Sequence, residues 1–229
     1  MEPIYEEEYK GFKIEIHQDD DPMNPVEDYD MLGKQVYWHR RMNLGHCWKE
    51  TERNSPEEWL ECHIEGHYDT YEHWEKCYSR KMGYFPWLVQ EFEKENLVIP
   101  VHAYERGGIT ISASGRRAGW DSFDSGQLGF VYVSHEDIKK EYKVSRLTKK
   151  VLERAEKCLI AEVEEYDHYL CGEVYGFRII DTVSEDELDS CWGFIGDYKY
   201  ALEEAKSRAN FLGKHRDEEE KKLDERMVS

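Results

Sequence analysis

The sequence lacks any long apolar run, and no stretch approaches the roughly 20 uncharged residues that a membrane-spanning helix needs. It also lacks an excess of base. Lys and Arg number 31 against 50 Asp and Glu, a formal charge of −19, which argues against a generic binder of phosphate backbones. The six cysteines (Cys47, Cys62, Cys77, Cys158, Cys171 and Cys191) contain no Cys-x-x-Cys pair, which argues against a thioredoxin-type site or a four-cysteine zinc ribbon. Glu2, Glu6, Glu7 and Glu8 occupy the start of the chain, so neither a signal peptide nor a basic transit peptide is expected there. The cysteines are then expected as reduced thiols in a cytoplasm. No internal repeat and no low-complexity linker is present.

What is there is enough for a core. An aromatic share of 14% within a hydrophobic share of 39% argues against a disordered polyampholyte. The charge is uneven, because residues 1–30 hold eleven acids and only two bases, Lys10 and Lys13, nearly half the net charge in about an eighth of the chain. Inside this segment Phe12, Ile14 and Ile16 alternate with polar residues, the period of a half-buried strand. Asp19 to Asp30, interrupted by Pro22 and Pro25, reads as an acidic loop.

Further on, Gln35–His39 is a short strand candidate, and Ser55-Pro56-Glu57-Glu58 starts a helix with a capping box. Helices are predicted to about Glu65, over Thr70–Lys81 and over Pro86–Lys94, and strands over Leu97–Tyr104, Ile109–Ser114 and Gln127–Ser134. Ser134 caps a short helix ending near Tyr142. Leu152, Ala155, Leu159, Val163, Tyr166 and Leu170 form one stripe on a 3.6-residue period, predicting a long helix over 148–170. A hairpin, Glu173–Asp181 with Ser190–Ile195, and a final helix from Tyr198 complete the chain. The order lacks regular β-α alternation, so the expectation is an α+β fold, with a mixed or antiparallel sheet and packed helices. It is read as a single domain over 1–229, with a small helical sub-lobe at about 55–95 and a charged C-terminus fraying from about 214 to 229.

Four constellations could carry chemistry. His63 and His67, and His73 and Cys77, are each spaced four apart, and two such pairs on a helical hairpin could hold one zinc ion. The competing reading is structural: Cys62 and Cys77 lie beside Trp59, Ile64, Trp74 and Tyr78, where a thiol serves as a small hydrophobe. No cofactor is expected, zinc being the alternative. Second, Asp19, Asp20, Asp21, Glu27, Asp28 and Asp30 offer an acidic surface, though without the glycine and closing glutamate of a calcium-binding loop. Third, Gly115–Gly129 is rich in Gly, Asp, Ser and Arg, with Asp121, Asp124, Ser125 and Gln127 as polar candidates and Arg116 or Arg117 for an anion. It matches neither phosphate-binding glycine pattern, and in the competing reading its Asp and Ser serve turns alone. Arg40, Arg41, Glu162 and Glu165 are added to this loop as an alternative pocket. Fourth, Glu162, Glu164, Glu165, Asp167 and His168 end the long helix, with Glu162, Glu165 and His168 on one face, a solvated face in the plainer reading. No catalytic residue is assigned.

Two strings have a wider likeness. Leu32-Gly33-Lys34-Gln35-Val36-Tyr37-Trp38-His39-Arg40-Arg41-Met42-Asn43-Leu44-Gly45 resembles the LGxMVxxHRRYxLGD signature of a family of uncharacterised phage and mobile-element proteins. Asp124–Val133, with Glu162–Leu170 and Gly176-Phe177, resembles the same family's WDSGQxGFxYV and GEVExYDxYLxGxVYGF strings. The likeness runs over residues 12 to 195. It departs at Phe123, which separates Trp120-Asp121-Ser122 from Asp124-Ser125-Gly126, and the Cys/His-rich stretch 62–77 lies outside the pattern. The resemblance implies an accessory protein expressed in the cytoplasm of a bacterial host. With the charge, it leads to the expectation of an acidic, non-enzymatic inhibitor of the anti-CRISPR or anti-restriction type, binding a host defence or nucleic-acid-handling protein. The alternative is a small enzyme or a nucleotide- or metal-binding protein built on the Gly115–Gly129 loop.

Overall fold

A computed structural model describes residues 2–64, 70–115 and 124–228, with side chains described through Arg216. In chain order the elements are β1 (Tyr5–Tyr9), β2 (Phe12–Gln18), α1 (Pro25–Asp28), β3 (Lys34–Tyr37), α2 (Trp48–Thr51), α3 (Pro56–His63), α4 (Thr70–Cys77), α5 (Tyr84–Phe92), β4 (Asn96–Glu105), β5 (Ile109–Ser112), β6 (Ser125–Ser134), α6 (His135–Glu141), α7 (Lys149–Leu170), β7 (Val174–Asp181), β8 (Glu187–Ile195) and α8 (Tyr198–Val228). The class is α+β, as the sequence indicates, and the strands form two sheets in which every pairing is antiparallel. Among the described residues no helix is long and apolar enough to cross a membrane. The chain divides into two compact units, residues 1–24 with 168–229, and residues 25–167.

The first unit is a sheet of order β1-β2-β7-β8 backed by α8. Lys10 and Gly11, at φ 53° and 82°, make the two-residue turn that joins Tyr9 to its partner Phe12. Both central residues are left-handed, the turn whose twist matches paired strands, and Gly11 adopts it without strain. The alternation of β2 buries Phe12, Ile14 and Ile16, and the register sets Phe177 and Ile179 opposite Ile16 and Ile14. On this layer α8 lays Ala201, Ala205 and Ala209, a stripe of small residues that lets the helix come close to the sheet. Strand β1 escapes the sequence pattern because Glu7 interrupts its covered side between Tyr5 and Tyr9. Glu7 pairs with Lys206 at 2.8 Å, and the Tyr9 hydroxyl meets the Asn210 side chain. The backbone of α8 is helical through Val228, in a run of Glu, Lys and Arg that favours helix.

The second unit is a sheet of order β3-β6-β4-β5 covered on both faces. On one face α7 buries Ala155, Leu159, Val163 and Tyr166, four of the six stripe residues, and Tyr166 stacks on Tyr37 with ring centroids 6.4 Å apart. On the other face Trp59 and Leu60 of α3, with Trp87, Leu88 and Phe92 of α5, share a core with Val36 and Phe130 of the sheet. Each buried tryptophan withdraws about 200 Å² from water, worth roughly 5 kcal/mol. Burial on two faces explains why residues 128–133 of β6 read as a nearly unbroken apolar run. Strands β3 and β6 also approach so closely at Gly129 that a Cβ there would lie 2.1 Å from the Val36 carbonyl oxygen. Helix α3 starts on the predicted capping box: Ser55 Oγ accepts the Glu58 amide, and the Glu58 carboxylate accepts the Ser55 amide at 2.8 Å. The acidic loop is corrected in part, since Pro25–Asp28 closes a helical turn with Pro25 and Val26 buried.

Candidate functional site

The second unit carries a cleft of about 470 Å³ where three strands end. Trp38, His39, Arg40 and Arg41 leave β3, Ala103 and Glu105 lie on β4, and the segment Asp124–Leu128 enters β6. Register makes the cleft. Trp38 N donates to the Leu128 carbonyl at 3.0 Å, and Glu105 N donates to the Asp124 carbonyl at 3.0 Å. Between these two anchors β4 and β6 shift register at Val101/His102, so that Leu128 has no direct partner across the ladder. A bulge of this kind bends a strand and re-aims its side chains.

His39 organises the cleft. Its side chain is 6% exposed. Nδ1 accepts the backbone amides of Arg41 at 3.2 Å and Met42 at 3.0 Å, which fixes the ring proton on Nε2. Nε2 then donates to the Glu105 carboxylate at 3.2 Å. Both ring nitrogens are committed, so His39 serves as a clamp that folds the backbone of 40–42 back on itself. Arg40 and Arg41 are exposed at the cleft and make no ion pair among the described residues. Two adjacent guanidiniums on a clamped backbone can grip an anion bidentately.

Of the residues that the sequence proposed for a pocket, Arg40, Arg41, Asp124, Ser125 and Gln127 come together here. Glu165 does not line the cleft, and Glu162 has another task. Its carboxylate accepts the Leu32 amide at 2.6 Å and the Gly33 amide at 2.9 Å, tying the entry of β3 to α7. Burial pushes the Glu162 carboxyl above the usual carboxylate range, against the pull of those two amides. The solvated-face reading of this part of α7 therefore fails at Glu162. It also fails at Asp167, which is buried and accepts the Ile111 amide at 2.6 Å. Asp121, with Arg116, Arg117 and Ser122, lies outside the described residues.

The acidic candidates are divided between the units. Asp19 is half-buried and accepts the amides of Asp21 and Gly193, both at 3.2 Å, so it holds a turn in the first unit. Asp20 and Asp21 are exposed in that unit, and Glu27, Asp28 and Asp30 are exposed in the second. The histidine and cysteine candidates for zinc are likewise spread. His63 stacks on Trp59 at 3.8 Å and bonds its carbonyl through Nδ1, His73 packs beside Tyr78 and Trp87, and Cys77 is exposed. His67 lies outside the described residues. Among the described residues no three His, Cys, Asp or Glu side chains converge on a common point. Earlier in the chain, His46 Nδ1 accepts the Gln35 amide at 3.0 Å, and burial pushes the Cys47 thiol up to about 11.

Sequence reasoning misses Trp38, Glu105 and Leu128 as cleft residues, and places His39 only at the end of a strand. The available signal was the pairing of strands. Once β4 and β6 are set side by side, Glu105 must fall beside Asp124. Comparison of the chain with family models, curated proteins and solved structures gives no match.

Proposed function

We propose that the second unit is a binding module for a small anionic ligand, held in the cleft by Arg40 and Arg41. The observation that carries this reading is the His39 clamp. A buried ring fixes the backbone beneath two exposed arginines that make no ion pair among the described residues, in a chain of charge −19. Binding is favoured over chemistry because the one cleft histidine has both nitrogens engaged, leaving no free ring base. The test is calorimetric titration with inorganic pyrophosphate. Wild type should bind, and replacing either arginine by alanine should weaken binding about tenfold, the size of one charge-assisted contact. Equal binding by an Arg40→Ala/Arg41→Ala protein overturns the assignment.

The acidic character supports a second reading, that of a phage or mobile-element accessory protein that docks on a basic cleft of a host defence or nucleic-acid-handling protein. Exposed Asp20, Asp21, Glu27, Asp28 and Asp30 are its candidate contacts. Acidic surfaces steer such encounters and make them salt-sensitive. A pull-down from nuclease-treated bacterial lysate should yield a partner that is lost at high salt. It should also be lost with Asn at Asp20, Asp21, Asp28 and Asp30, leaving Asp19 to hold its turn. Undiminished capture by the Asn variant counts against it.

A further inference from the structure

The cleft has a neighbour. A second cavity of about 240 Å³ lies beside it, walled by Pro56, Phe85 and Phe130, and the two share Trp38, Gln127 and Leu128. The two differ in chemistry. The first is lined by Arg40, Arg41, His39, Glu105 and Asp124, whereas the second is largely aromatic and aliphatic. Its walls are held in place. The Trp38 indole donates Nε1 to the Asn54 carbonyl at 2.9 Å and stands edge-on to Trp59 at 83°, so its ring cannot swing. Phe130 lies 5.8 Å from Trp38 and 5.6 Å from Trp59. Phe85 enters from the first turn of α5, and Pro56 opens α3.

We infer that the ligand of the cleft is an anion that also carries a planar ring, of the chemical class of a mononucleotide. Its phosphate lies on Arg40 and Arg41, and its ring stacks in the aromatic cavity across the Trp38–Leu128 boundary. This rests on the anion reading above and adds the second half of the ligand. Rigid flat walls suit a flat group, since stacking needs an aromatic face already in position. They suit a flexible acyl chain less, because its ordering would oppose binding. Glu105 makes its hydrogen bond to His39 through one carboxylate oxygen, Oε1. The other oxygen can accept from a hydroxyl lying between phosphate and ring.

The test compares adenosine 5′-monophosphate with ribose 5-phosphate by calorimetric titration of the full chain. The nucleotide should bind at least tenfold more tightly. Phe85→Leu keeps an apolar side chain for the core and removes the flat wall. It should abolish most of that preference while leaving the ribose 5-phosphate affinity unchanged, and an unaltered thermal melt shows that the fold persists. If both phosphates bind equally to wild type, the ring cavity is not part of the site, although the anion reading stands. If neither binds, the anion reading itself falls and takes this inference with it.

Discussion

Glu162 shows how one side chain can hold a fold and hide it from the sequence. Its two oxygens accept the successive amides of Leu32 and Gly33, where β3 begins. Glu162→Ala strands two partly buried amides and should lower unfolding free energy by about 2–4 kcal/mol in urea titration. Glu162→Gln keeps one acceptor and should lose about half of that. The pH dependence has a definite sign. Burial raises the folded carboxyl above its unfolded value, so folding favours the protonated form. The stability of wild type relative to Glu162→Gln should therefore be greatest below the ordinary carboxylate range and decline as pH rises through the raised value. A difference flat across that window would refute the assignment. From sequence this residue could be placed on a helix face, but its partners stand about 130 positions away. The same distance hides Asp167, whose partner is the Ile111 amide, and Tyr166, whose hydroxyl takes the Gly45 amide. Together these three residues join α7 to the β3 and β5 segments. The cleft residues were legible only in part, for the same reason. Arg40 and Arg41 stand together in the chain, but Glu105 reaches His39 only through the sheet.

At the level of elements, local signals worked where they were complete. The Ser55–Glu58 box set the start of α3, and the 3.6-residue stripe set α7 to within one residue at its start. Elements too short for a period, such as the four-residue α1 and α2, left no trace in the pattern. Strand β1 was hidden because its inward Glu7 is neutralised by Lys206 from α8. The β1–β2 turn offers a direct test. Lys10 holds φ 53°, a conformation that asparagine adopts more readily than lysine. Lys10→Asn creates the Asn-Gly pair preferred in such turns and should raise stability by roughly 0.5–1 kcal/mol, measured by chemical denaturation. Loss of stability would mean that the Lys10 contact to Asn210 outweighs the turn.

For the molecule as a whole, the chain order is nested. Residues 25–167 lie between β2 and β7, two strands that pair along their full length from Phe12↔Asp181 to Gln18↔Tyr175. The inserted unit has its own sheet, its own aromatic core and a covering helix, which is what independent folding requires. Residues 25–170 produced alone should melt cooperatively and keep the near-ultraviolet signal of packed tryptophans. A featureless melt would show that the insertion depends on the outer strands.

The nesting also carries a clock. On a ribosome adding about 5–20 residues per second, β2 emerges roughly 8–30 s before its partner β7 exists. Through that interval the apolar side of Phe12, Ile14 and Ile16 has only the β1 hairpin for company, while the inserted unit is being added to the chain. The −9 local charge of residues 1–30 then acts as a solubiliser for a waiting strand, keeping like segments on neighbouring chains apart until the last helix arrives.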